Sequence, residues 1–235
     1  MKEAKRKQTP LLMTPYNVKR ILDKKKTQTR RIVKGVALEW LNGRSIPQNF
    51  KTPTPWLYIC PYGKIGDSLW IRETWADCNS AEGPCLVYRA DGAVRTWHEF
   101  STTFGEDYGA GPSMNYEAYP GYYSMWYEDL LNRDIHKEEG YRWKPPIFMP
   151  KWACRLWLEI TDVRVERVQD ISQEDALAEG IQQSEQTGQY LPGGNDYPDW
   201  AFRDLWNSIN EKNGHGWDVN DWVWVLTFTI IDPLK

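Results

Sequence analysis

Lys24-Lys25-Lys26-Thr27-Gln28-Thr29-Arg30-Arg31-Ile32-Val33 is the stretch from which the fold of this chain is read. From Lys26 onward, two β-branched threonines alternate with polar residues, so the segment is expected to be extended, with its Thr and Arg side chains sharing a face. Upstream, Leu11, Leu12 and Met13 read as a short strand. Thr14 followed by Pro15 resembles an N-cap with proline at the first helical position, and Val18, Ile21 and Leu22 supply the apolar stripe of a helix running to about Lys25. The opening order is therefore strand, helix, basic extended segment.

Downstream, residues 35 to 55 are rich in Gly, Pro and Asn and read as an excursion. Trp56–Cys60 and Ser68–Trp75 are predicted strands, joined by the turn-forming Pro61-Tyr62-Gly63-Lys64-Ile65-Gly66-Asp67. Between about 76 and 148 periodicity weakens. That region holds one predicted hairpin, Leu86–Tyr88 and Val94–Trp97 about an Asp91-Gly92 turn, and then a Tyr- and Trp-rich stretch (Tyr116, Tyr119, Tyr122, Tyr123, Trp126, Tyr127), and it reads as a long aromatic-rich insertion. Regular alternation returns over Ala153–Val168, as a half-buried strand or two. Ser172 with Asp175 forms a capping box for a helix over Gln173–Glu179 that ends at Gly180. A second helix is expected over about Pro198–Glu211 with Phe202, Leu205, Trp206 and Ile209 on one face, and Trp222–Ile231 is a strongly apolar strand placed inside the sheet.

Composition bounds the function. The chain has 235 residues, of which 41% are hydrophobic and 26% charged, enough for a full core. No apolar run is long enough to span a membrane, and MKEAKRKQTP is no signal peptide, so no membrane partner is expected and a cytoplasmic location is. The net charge of −3 hides an asymmetry: residues 1–34 hold twelve Lys or Arg against two acids, a balance of +10, while the remainder holds 17 bases and 30 acids, a balance of −13. A polyanion would meet the basic end first. Four cysteines (Cys60, Cys78, Cys85, Cys154) without a CxxC pair read as reduced thiols, and three scattered histidines (His98, His136, His215) suggest no metal site. Gly193-Gly194 is not a phosphate loop, because no GK[ST] follows, and His215 with Asp218 reads as a loop turn. No cofactor is expected.

In combination, these segments resemble the ASCH domain family. Lys24 through Arg31 is similar to its GxKxxTxR-like signature, with Lys24 where glycine is usual. Gly66-Asp67 leading into Leu69-Trp70-Ile71-Arg72-Glu73-Thr74-Trp75 resembles the turn and strand of the larger ASCH proteins of tailed phages and prophages, and Asp170–Ile181 and Trp222–Val225 also fit. The resemblance covers roughly 11–34, 56–75 and 150–232. It implies an α+β fold, a small mixed PUA-like β-barrel flanked by short helices, as one domain over 11–235 behind a basic flexible tail (1–10), with an insertion at about 76–148. It also implies a nucleic-acid or nucleoside ligand.

Small bacterial ASCH enzymes that deacylate N-acetylated cytidine use a lysine, a threonine three residues later and a glutamate from the helix beyond. The resemblance places these on Lys26, Thr29 and Glu179. Crowding by Lys24, Lys25, Arg30 and Arg31 would lower the pKa of Lys26 and make it a base, with Thr29 as nucleophile and Glu179 orienting the ammonium or shuttling a proton. The competing expectation is a solvated, phosphate-contacting cluster without catalysis. Three functions stay open: a protein binding RNA, a single strand or a modified nucleobase through Lys24, Lys25, Arg30, Arg31, Trp70, Arg72 and Glu73; an amidohydrolase of N-acylated cytidine-type nucleosides, or a ribonuclease, using the trio; and a phage-encoded interaction module working in the host cytoplasm. For Arg72 and Glu73 a mutual or structural ion pair is the preferred expectation over ligand contact, and Trp70 and Trp75 are expected on opposite faces of one strand.

Overall fold

The computed structural model describes residues 6–45, 54–80, 83–96 and 143–232. The basic residues before Arg6, His98 and His136 and the Tyr- and Trp-rich stretch 116–127 lie outside them. The elements are β1 (Gln8–Leu12), α1 (Pro15–Leu22), β2 (Gln28–Ile32), α2 (Val36–Leu41), β3 (Ser68–Arg72), β4 (Trp75–Ser80), β5 (Gly83–Tyr88), β6 (Val94–Thr96), β7 (Trp157–Arg167), α3 (Gln173–Ala178), β8 (Gln182–Gln183), β9 (Tyr190–Leu191), α4 (Pro198–Asn210) and β10 (Trp222–Ile231). The fold is mixed α+β. Its sheets have the orders β1-β3-β7-β10-β2, β4-β5-β6 and β8-β9, and no closed barrel is found among the described residues. Contacts divide the chain into two compact units, one of residues 1–9, 20–69 and 158–230, the other of 10–19, 70–157 and 231–235.

In the first unit, α3 and α4 bury Ala176, Ala201, Phe202 and Trp206 with Val168, Ile171, Ile181, Val223 and Val225. The 3.6-residue period of α4 explains the buried stripe Pro198, Ala201, Phe202 and Trp206. Ile209, expected on that face, is 47% exposed, because the helix has outrun the core by its last turn. β10 is flanked by β7 and β2 and carries an unbroken buried run from Val223 to Leu226, as an internal strand requires. In the second unit, β4 and β5 pair antiparallel from Trp75 opposite Tyr88 to Ser80 opposite Gly83. Trp75, Leu86, Tyr88, Met149 and Ala153 form one core cluster there, and Ala76, Cys85 and Val87 another.

Three expectations are corrected. Trp56–Cys60 is not a strand: Pro55–Ile59 is a 3-10 helix, its φ preset by Pro55 at the first position. Ser68–Trp75 is two strands, β3 and β4, with Glu73 and Thr74 between them, so strand parity does not relate Trp70 to Trp75. Residues 35–55 contain α2, whose buried Ala37 and Trp40 stand three apart behind Gly35 at φ 64. Among the free cysteines, Cys60, Cys85 and Cys154 are buried.

Two residues beyond the end of α1 the chain turns at Lys24. Lys24 has φ 58, in the left-handed region, while the N–H groups of Lys24 and Lys25 donate to the carbonyls of Ile21 and Arg20 at 2.9 and 2.8 Å. A residue with a Cβ is strained there by roughly 1 kcal/mol, which glycine avoids. Lys24→Gly is therefore expected to raise stability by about 1 kcal/mol. A urea midpoint unchanged or lowered in that variant would show that the left-handed turn carries no strain.

Candidate functional site

β2 lies at the edge of the five-stranded sheet and is held on one side by β10, with Arg30 opposite Val225, Thr29 opposite Leu226 and Gln28 opposite Thr227. On its other side comes the C-terminal end of α3, where the Thr27 N–H donates to the Ala178 carbonyl at 2.8 Å. Ser172 fixes the start of α3 by accepting the Asp175 N–H at 3.1 Å, as the capping pattern predicts. Gly180 then lets the helix end abut the strand: at φ 94, an added Cβ would stand 3.2 Å from Cβ of Lys26 and 3.3 Å from Cβ of Arg20.

This apposition joins residues distant in sequence. Lys26 Nζ donates to Glu179 Oε2 at 2.5 Å and to the Glu179 carbonyl at 2.8 Å, across 153 residues. The two residues are 3% and 4% exposed. Arg30 donates to the other carboxylate oxygen of Glu179 at 3.2 Å, to Gln28 Oε1 at 2.7 Å, to Glu166 Oε1 at 3.1 and 2.5 Å and to Asp175 Oδ2 at 2.8 Å. Its guanidinium also stands 5.6 Å from the centre of the Phe202 ring. Arg164 completes the group, donating to Glu166 at 3.0 Å and pairing with Asp175. The charges of the group balance, with Lys26, Arg30 and Glu179 buried and Arg164, Glu166 and Asp175 partly exposed around them.

Burial is the main cause that lowers the pKa of Lys26 from its ordinary 10.5, opposed by Glu179 and assisted weakly by Arg31 and Arg30. The direction is the expected one; of the like charges expected to cause it, Arg31 and Arg30 do lower it, but burial is the largest cause. Arg31 is lowered too, first by burial, against the pull of Tyr62 and Glu179. Burial would raise Asp175, but Arg30, Gln28 and Arg164 outweigh it and hold the carboxyl below its ordinary value.

The residues named from sequence fall into four groups. Lys26 and Glu179 meet, as the resemblance implies. Thr29 is buried, but strand parity turns it to the face opposite Gln28 and Arg30, and no hydrogen bond from its hydroxyl to Lys26 or Glu179 is found among the described residues. Lys24 and Lys25 are exposed, whereas Arg30 is buried in ion pairs and Arg31 is half-buried, so the segment is not one solvated cluster. Trp70, Arg72 and Glu73 belong to the other compact unit. There Arg72 lies 5.4 Å from the Trp70 ring and donates to the Ile147 carbonyl. Glu73 does not pair with Arg72; it is fully buried and takes two hydrogen bonds from Arg155, both at 2.9 Å. Gln28, Glu166 and Arg164 were not singled out from sequence. Their signal was the alternation of Arg164 and Glu166 with Val163 and Val165 in β7, which marks a polar face without saying what it meets.

No group of His, Cys, Asp and Glu that could hold a metal is found among the described residues, and no helix among them is long and apolar enough to cross a membrane. Compared with known protein families, with curated proteins and with solved structures, the chain matches none.

Breaking a buried pair leaves an uncompensated charge. Glu179→Gln is expected to destabilise the protein by about 3–5 kcal/mol, and Lys26→Met combined with Glu179→Leu to recover most of that loss. Urea denaturation of the two variants measures both. A Glu179→Gln loss under about 1 kcal/mol would mean the pair is solvated.

Proposed function

We propose that this protein is an ASCH-type, PUA-like amidohydrolase acting on an N-acylated cytidine-type nucleoside, with Lys26 as base and Glu179 as its orienting partner. The observation that carries this is the 2.5 Å contact between Lys26 and Glu179, two members of the trio that the resemblance names, 153 positions apart. The left-handed φ of Lys24, where the family has glycine, supports it as well. So does the lowered pKa of Lys26, since a base must be partly neutral at the working pH. The five-stranded sheet is, in this proposal, the counterpart of the family's barrel.

In the proposed reaction Lys26 takes a proton from a water molecule as the water oxygen adds to the acyl carbon, and Thr29, on the opposite face of β2, takes no direct part. Collapse expels the exocyclic amine of the base, which takes that proton from the lysine ammonium. The acyl group leaves as the free acid, its second oxygen coming from the water. Glu179 keeps Nζ in place and compensates its charge while it is protonated.

A second reading, polyanion binding, is favoured by the exposure of Lys19, Lys24, Lys25 and Lys34 on the basic segment. It is compatible with the first.

Purified protein is expected to release cytidine from N4-acetylcytidine, followed chromatographically, with Lys26→Ala lowering kcat/KM about 10²–10⁴-fold. The rate should rise with pH as the amine deprotonates and level off below the ordinary lysine value of 10.5. No release, or equal release by Lys26→Ala, would contradict the assignment. For the second reading, replacing Lys24 and Lys25 together by alanine should reduce the salt slope of single-strand binding by about 1.4, and an unchanged slope would remove these lysines from the contact.

A further inference from the structure

The first compact unit contains a cavity of about 540 Å3 that none of Lys26, Thr29 and Glu179 lines. Its body is apolar, built by Leu57 and Tyr58 of the 3-10 helix, Ile65 of the turn before β3, Val163 of β7 and the thiol of Cys60. Tyr58 and Ile65 are 71% and 64% exposed, so two large apolar side chains stand in water beside an apolar hollow. That is a surface a ligand would cover. The volume is that of a site for a small molecule, which falls at roughly 300–1,000 Å3.

Charge decides the class of ligand. Lys7 and Lys64 are the cations in the lining, and Asp67 is its one acid. Both oxygens of Asp67 are already committed to the turn: Oδ1 accepts the Lys7 N–H at 2.9 Å and Oδ2 accepts the Lys64 N–H at 3.0 Å. Gly63 permits that arrangement, because at φ 125 an added Cβ would lie 2.8 Å from Asp67 Oδ2. Lys7 Nζ donates to the Pro61 carbonyl at 2.9 Å, which anchors the ammonium beside the cavity and leaves two of its three hydrogens for other acceptors. Two lysines thus line a site whose carboxylate is engaged by backbone N–H groups.

We infer that this cavity binds a small amphiphilic anion, an aromatic or branched apolar body carrying one negative group, with the body against Leu57, Val163 and Tyr58 and the charge toward Lys7 and Lys64. The site is independent of the amide-hydrolysis proposal, and its test uses no turnover. The probes are 8-anilinonaphthalene-1-sulfonate, an aromatic monoanion, and neutral N-phenyl-1-naphthylamine, titrated by fluorescence into the full folded chain. The sulfonate is expected to bind saturably at one site. Val163→Trp, which fills the cavity, should abolish binding of both probes. Lys7→Ala combined with Lys64→Ala should weaken the sulfonate about tenfold and leave the neutral probe unchanged. Tyr58→Ala, an exposed change that leaves folding intact, should weaken both about threefold and so decides the matter if Val163→Trp does not fold. Absence of saturable binding, a folded Val163→Trp that binds like wild type, equal loss of both probes in the lysine variant, or unchanged affinity in Tyr58→Ala would each overturn the inference.

Discussion

Lys26 and Glu179 hold each other in place where neither could stay alone. An ammonium and a carboxylate taken out of water each cost several kcal/mol, and that cost is offset only when the two meet with good geometry and their remaining hydrogen-bonding groups are satisfied. Both conditions are met here: Nζ has the carboxylate and the carbonyl of the same residue, and the second carboxylate oxygen has Arg30. Because one partner lies two residues before the edge strand and the other caps α3, the pair also fixes the position of the helix end against the start of the strand. Gly180 is the steric condition for that approach.

The same pair changes what the basic segment can do. Its formal charge of +10 suggests a continuous positive surface, yet Lys26 and Arg30 are buried and neutralised by acids from β7 and α3. The charge left for a polyanion belongs to side chains such as Lys19, Lys24 and Lys25 that point to water. What the buried cations provide instead is a dry, balanced cluster in which one lysine is held below its ordinary pKa. A comparable solution appears in the other unit, where Arg155 satisfies the buried Glu73 and reaches Asp91 at the hairpin turn, again with carboxylate and guanidinium in direct contact.

How far the sequence reveals this depends on whether the deciding signal is local. Thr14, Pro15, Ser172 and Gly180 act within a few residues, and the start of α1 and both ends of α3 were legible from them, whereas α1, expected to run to about Lys25, stops at Leu22. The β5 and β6 hairpin was legible from Asp91-Gly92 for the same reason. The run Trp56–Cys60 was not, because a short apolar run is ambiguous in period and Pro55 decided for a 3-10 turn. For Glu73 an ion pair, mutual with Arg72 or structural, was expected; it is structural, and its partner Arg155 was not legible because it lies 82 residues away and only the fold brings it there. At the site, Lys26 and Glu179 were named together only by the resemblance and by no spacing in the sequence, while Glu166 and Gln28 had no signal beyond alternation. Of the causes of the Lys26 shift, Arg30 and Arg31 were legible and burial, the largest, was not, because burial is a tertiary property.

The central claim is that Lys26 is a desolvated lysine held by Glu179. It is tested most directly by following the titration of the lysine side chains in protein labelled with 13C at the lysine ε-carbon, by NMR. The account predicts one lysine resonance, absent in Lys26→Met, that titrates clearly below the ordinary value of 10.5 and falls further in Glu179→Gln, where the only large opposing influence is removed. A Lys26 resonance that titrates with the surface lysines and ignores the Glu179 substitution would contradict it.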